Sequence, residues 1–153
     1  MQAELTSEER NWGMAAHLSA LIAVAGIPFG HILGPLIVYL VKGGQSQFVA
    51  RHARASLNYQ ITVSIAAVIL VVVAIALAVV GGIAFGALDS SSQGRSEDVG
   101  PALGFVALWV VILGGVIVFA VVSTIFIILG TVAASDGKPY RYPFALEFIR
   151  EPH

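Results

Sequence analysis

The chain has 153 residues, 58% hydrophobic and 11% charged, with a formal net charge of -1 and no cysteine. So few charges cannot cover the surface of a soluble domain of this size. The near-neutral balance gives no basic footprint for nucleic acid, and the missing thiols exclude disulfides, thiol catalysis and thiolate metal sites.

Residues 11–41, 55–88 and 99–135 contain no Asp, Glu, Lys or Arg. Each run exceeds the roughly 20 apolar residues that cross about 30 Å of hydrocarbon as a helix. A charge at mid-bilayer costs about 2.5–3.5 kcal/mol on insertion scales. The pattern therefore predicts an all-α integral membrane protein, a small polytopic bundle in one transmembrane domain spanning residues 1–153.

Residues 1–11 form a polar N-terminus. Glu8 and Glu9 precede the first Arg, the reverse of a signal peptide's basic start, so the first apolar segment is expected to be retained. Thr6 or Ser7 is the expected N-cap, with Glu9 near N3. The helix should then run through Trp12, Leu18, Leu21 and Val24 until Gly26-Ile27-Pro28-Phe29-Gly30 breaks it. A second piece follows from about residue 31. Each piece, at roughly 11–15 residues, reaches only about 17–22 Å. The broken first segment (12–41) is thus either one kinked crossing or a hairpin returning to the same face, with residues 26–30 packed on protein or near an interface.

Lys42-Gly43-Gly44 ends that segment, and Ser46 caps an interfacial helix over 47–58. Its helical spacing sets Arg51, Arg54 and Asn58 on one face and Val49, Ala53 and Leu57 on the other. Two full transmembrane helices are predicted at 59–87 and 102–134, joined by a serine-rich loop at 89–100. The tail (136–153) mixes Tyr140, Tyr142 and Phe144 with Arg141 and Arg150, an amphipathic composition suited to lipid headgroups. Lys42, Arg51 and Arg54 in the 42–54 connection, and Lys138, Arg141 and Arg150 in the tail, place both in the cytoplasm by the positive-inside rule. The 89–100 loop is then extracytoplasmic. A hairpin keeps the N-terminus cytoplasmic; a single crossing puts it outside.

Several motifs carry a family resemblance. They are Trp12-Gly13-Met14-Ala15-Ala16-His17-Leu18-Ser19-Ala20-Leu21, Ile32-Leu33-Gly34-Pro35-Leu36-Ile37-Val38-Tyr39-Leu40, Phe48-Val49, Leu57-Asn58-Tyr59-Gln60-Ile61 and Gly137-Lys138-Pro139-Tyr140-Arg141-Tyr142-Pro143. In their order the chain resembles a bacterial membrane family of unknown function (DUF forty-eight-seventy), similar to the Tic-twenty component of chloroplast protein import. The resemblance implies a bacterial inner-membrane, multi-pass location and, by analogy of fold, a part in transport or translocation.

Four polar side chains stand out in the apolar runs. His17 and His31, ionisable groups within the first run, read as a haem ligand pair, a proton relay or neutral imidazoles bonded to backbone near the helix break. Asn58 and Gln60, where the interfacial helix enters the membrane, are candidates for hydrogen bonds across helices. Lys42, Arg51 and Arg54 are candidates for lipid-headgroup binding or for setting topology. Gly82 and Gly86 match the small-xxx-small spacing of close helix packing. Asp136 beside Lys138 predicts an interfacial salt bridge.

No nucleophile elbow, phosphate-binding glycine loop, metal-spaced cluster or carboxylate pair is present. No catalytic residue, metal or cofactor is therefore expected. The leading reading is a non-enzymatic structural or accessory subunit that contacts membrane lipids and forms a homo-oligomer or joins a larger membrane complex. A broken helix lining a transport site is the second.

Overall fold

In the computed structural model, residues 4–25, 29–91 and 100–150 are described. Four α-helices form: α1 (Ser7–Leu18), α2 (Gly30–Lys42), α3 (Gln47–Ser91) and α4 (Gly100–Ser135), with a 3-10 segment, Ser19–Ala25, between the first two. The all-helical expectation holds. Two stretches, Gln47–Ala84 and Ala102–Ser135, are long and apolar enough to cross a membrane.

A reciprocal capping box starts α1: Thr6 Oγ1 accepts from the Glu9 amide at 3.2 Å, and the Glu9 carboxylate accepts from the Thr6 amide at 2.9 Å. The helix is shorter than its apolar pattern suggests. It ends at Leu18, and 3-10 geometry replaces the expected continuation through Leu21. This tightening coincides with the closest approach of α2, where a Cβ on Gly34 would lie 2.5 Å from the Ser19 carbonyl oxygen. The predicted break falls largely on residues 26–28, outside the described residues. Phe29, at φ 58, is the N-cap of α2.

The end of α2 returns to the start of α1, where Lys42 Nζ donates to Glu8 Oε1 at 2.8 Å. Together with the packing of α2 on α1 and the 3-10 segment, this makes the broken first segment an antiparallel hairpin. Its helices of 12 and 13 residues are about 18–20 Å long, short of a bilayer's width.

The interfacial stretch (47–58) runs on into the first crossing (59–87), as the sequence suggests. Both lie in the single 45-residue α3, because residues 47–80 contain neither Gly nor Pro to interrupt the ladder. Of the predicted 89–100 loop, residues 89–91 extend α3 and 92–99 lie outside the described residues.

At the other terminus of α4, Gly137 adopts φ +70. The Lys138 amide donates to the Ala133 carbonyl at 2.9 Å and the Gly137 amide to that of Ala134 at 3.1 Å, a Schellman turn that only glycine enters without strain. Lys138 pairs with Asp136 at 3.0 Å, as the sequence predicts. The tail then runs as a strap without helix from Lys138 to Arg150.

The chain divides into two compact units, Met1–Ile65 with Val122–His153, and Ala66–Val121. The first holds the core. Ala16, Val38, Val49 and Ala53 form one buried cluster, and Ala20, Tyr59, Ile127 and Tyr142 another. The many small residues let helices approach closely, which matters where burial against lipid gives little hydrophobic drive. The second unit comprises the apolar lengths of α3 and α4. Side chains such as Val72, Ile83 and Val111 stand exposed there, as suits contact with lipid tails. Its close-packing glycine is Gly81, where a Cβ would meet Leu108 Cδ2 at 3.2 Å, while Gly82 and Gly86 face open space. An added Cβ at either of those two would meet nothing within 4 Å. Each helical residue turns about 100°, so a neighbouring glycine points elsewhere.

Candidate functional site

Packing of α1, α3, α4 and the strap creates one buried polar chain. His17 Nδ1 lies 2.8 Å from the Tyr142 hydroxyl, and His17 Nε2 lies 2.8 Å from His52 Nδ1. Its position follows from the sequence: His17 follows Ala16 on the inner face of α1, and His52 lies between Val49 and Ala53 on the inner face of α3. Gly130 of α4 makes the room, since a Cβ there would sit 3.0 Å from both His17 Nδ1 and the Tyr142 hydroxyl.

A neutral imidazole has one donor and one acceptor nitrogen, so the chain of bonds has two consistent directions. In one, Tyr142 O–H donates to His17 Nδ1 and His17 Nε2–H donates to His52 Nδ1. In the other, every proton is reversed. Burial, followed by the neighbouring His52, pushes the His17 imidazole down to about 3, so it is neutral at pH 7. Burial likewise pushes the Tyr142 phenol up, and it keeps its proton. At the outer end of the chain, His52 Nε2 is buried and meets no hydrogen-bond partner of full geometry among the described residues.

The strap is held at three further points. Tyr142 stacks on Tyr59 with centroids 4.1 Å apart and planes inclined by 12°. The Asn58 amide donates to the Ile149 carbonyl at 3.1 Å and accepts from its N–H at 2.8 Å. Thr62 Oγ1 accepts from the Leu146 amide at 3.0 Å.

The candidates read from sequence separate into different settings. His17 and His31 do not form a ligand pair. The His17 nitrogens face Tyr142 and His52 without a slot for a macrocycle, while His31 Nε2 meets Ser64 Oγ at 2.8 Å. Because the Ser64 proton goes to the Gln60 carbonyl, His31 Nε2 is the donor in that bond. Its partner is thus a side chain, not the backbone carbonyl expected near the helix break. Asn58 bonds to the strap instead of crossing to another helix, and the Gln60 amide nitrogen is buried without a partner. Arg51 and Arg54 stay together with Asn58 along one wall of a cavity, but Lys42 leaves them for Glu8 and lies 5.4 Å from the centre of the Trp12 ring.

Sequence reasoning missed His52, Tyr142 and Gly130. The signal for His52 was present, because it shares a helical face with Val49 and Ser56. Attention to the basic stripe of the same helix hid it. Nothing local marks Tyr142, whose partners are 125 and 83 positions away at His17 and Tyr59. Among the described residues, no group of three or more His, Asp or Glu side chains is placed to hold a metal ion.

With this geometry in hand, comparison with known families is decisive on kinship. Residues 8–149 match the model of the magnetosome magnetite crystal formation protein family (MamF/MmsF), and the chain belongs to that family. The match covers nearly the whole chain and overturns the resemblance to the DUF forty-eight-seventy and Tic-twenty-like proteins. The translocation reading drawn from that resemblance falls with it. No curated protein and no solved structure matches the chain significantly.

Proposed function

With membership of the magnetite crystal formation family as the premise, we propose that the chain works in crystal formation as a non-enzymatic structural or accessory protein of the magnetosome membrane. One observation carries this reading beyond kinship: polar groups and apolar exposure are partitioned between the two units. The first unit commits His17, His52, Tyr142 and Asn58 to internal bonds that hold the strap. The second exposes Val and Ile along two helices of membrane-spanning length. Such an anchor suits assembly with other membrane proteins or further copies. Gly82 and Gly86, in small-xxx-small spacing and with room around an added Cβ, suit close packing against a second copy. The positive-inside rule supports a cytoplasmic side for the 42–54 connection and the tail, and a hairpin would bring the N-terminus to that same side.

The test is a chromosomal deletion in a magnetite-forming bacterium, complemented by a fluorescent fusion. The expected result is a shifted crystal size distribution in electron micrographs, restored by the fusion, with the fusion aligned along the magnetosomes. Unchanged crystals together with a fusion spread evenly over the cytoplasmic membrane would sink the proposal. Native mass measurement after gentle solubilisation tests the assembly: a bare monomer without crosslinked partners contradicts it.

A further inference from the structure

The strap brings the basic residues of the tail beside those of α3. A cavity of about 1010 Å³ in the first unit is lined by Arg51, Arg54, Asn58, Arg141, Glu147 and Arg150, among others. Among the described residues its charged lining is four guanidinium groups against one carboxylate, in a chain whose formal net charge is -1. Arg54 is buried, at 7% exposure, so part of this positive charge is held away from water, where screening is weak. Arg51 and Arg54 have protein partners of their own; what marks the site is the excess of one sign around a concave space.

We infer that this cavity binds a phosphate-bearing anion, either the headgroup of an anionic phospholipid or free phosphate. The guanidinium fork matches phosphate oxygens with paired N–H donors, and the volume lies at the upper end of the usual range for small-ligand sites, about 300–1,000 Å³. Glu147 pairs with Arg141 and supplies a competing internal anion at the rim. Two features favour the lipid as the source. In sequence the lining residues lie at the starting end of the first membrane-length stretch, over residues 51–58, and just after the second, over 139–150. Between Arg141 and Arg150 the strap also exposes Phe144 at 91%, with Leu146 and Phe148 exposed beside it, an apolar edge suited to the headgroup boundary. Lys42, grouped with Arg51 and Arg54 on sequence grounds, is not part of this site; the tail arginines take its place. The site is independent of any role in crystal formation.

The full chain in neutral detergent, titrated with short-chain phosphatidylglycerol, provides the test. Phosphatidylcholine of equal chain length and sodium phosphate are the comparison ligands, and binding is read by native mass spectrometry and by thermal shift. Phosphatidylglycerol should bind at least about tenfold more tightly than phosphatidylcholine, whose choline cation the arginines repel. The R141Q/R150Q double variant, altered only at exposed positions, should weaken that binding at least about fivefold. Glu147→Gln should strengthen it about two- to fivefold, a change that general loss of fold cannot produce. Binding of sodium phosphate alone with the same variant pattern keeps the site and names free phosphate as its source. Equal binding of the two lipids without phosphate binding, or affinities unmoved by both variants, overturns the inference.

Discussion

Tyr142→Phe isolates what the buried chain contributes. The ring and its stacking on Tyr59 at 4.1 Å remain, and only the hydroxyl that meets His17 Nδ1 at 2.8 Å is lost. His17 is fully buried, so no water replaces the missing partner, and an orphaned buried polar group costs about 1–3 kcal/mol. If strap release is a local opening, that cost raises the open population about 5- to 150-fold, since each 1.4 kcal/mol is a factor of ten. Trypsin reads this directly, because the bond after Arg141 enters the buried Tyr142 and can be cut only when the strap lifts. When reclosing outruns cleavage, the cutting rate follows the open population. Cleavage after Arg141 should therefore accelerate by at least about fivefold in Tyr142→Phe, with helix content by circular dichroism unchanged. A change below about twofold would show that the Tyr142–His17 bond does not hold the strap, and the clamp as described would be wrong.

Four further outcomes follow from the same structure. His17 is neutral in the folded chain with its imidazole pushed down to about 3, whereas the unfolded chain takes up the proton near 6.5. Stability is therefore complete above about pH 6.5 and declines as pH falls toward 3, by up to about 1.4 kcal/mol per pH unit for this one group; a thermal midpoint that is flat between pH 7.5 and 4.5 would contradict it, and His17→Gln should flatten the dependence. Gly130→Ala places a Cβ 3.0 Å from both His17 and Tyr142 and should loosen the strap toward trypsin as Tyr142→Phe does. Gly114→Ala, where a Cβ meets nothing within 4 Å, should be neutral or gain up to about 1 kcal/mol from helix propensity. Lys42→Ala removes a pair whose Glu8 partner is well exposed and should leave the thermal midpoint nearly unchanged; a large fall in midpoint would mean the hairpin depends on its ends rather than on the approach of Gly34 to Ser19.

Much of the fold was legible because it depends on local chemistry. The capping box at Thr6 and Glu9, the glycine turn at Gly137 and the two long apolar helices each arise from residues close together in the chain. The amphipathic start of α3 was legible as an interfacial stretch that runs into the first crossing. Amphipathicity reports which faces are buried, not where a ladder of backbone bonds ends, and nothing in residues 47–80 stops that ladder. The hairpin was one of two open alternatives, decided by contacts between residues 15 and 34 positions apart, at Ser19 with Gly34 and Glu8 with Lys42.

The site divides along the same line. His17 was visible as an ionisable group in an apolar run, and Arg51, Arg54 and Asn58 as one helical stripe. Their partners were not visible, because Tyr142, Arg141 and Arg150 reach them only when the strap turns back at Gly137. The sequence by itself determined the solvent of this protein: long runs without charge are stable only where lipid replaces water, whatever the packing. Tertiary structure alone decided which polar side chains meet. A buried hydrogen bond or a shared ring of charge depends on separations of a few ångströms, and residues more than a hundred positions apart acquire those separations only when the chain has folded.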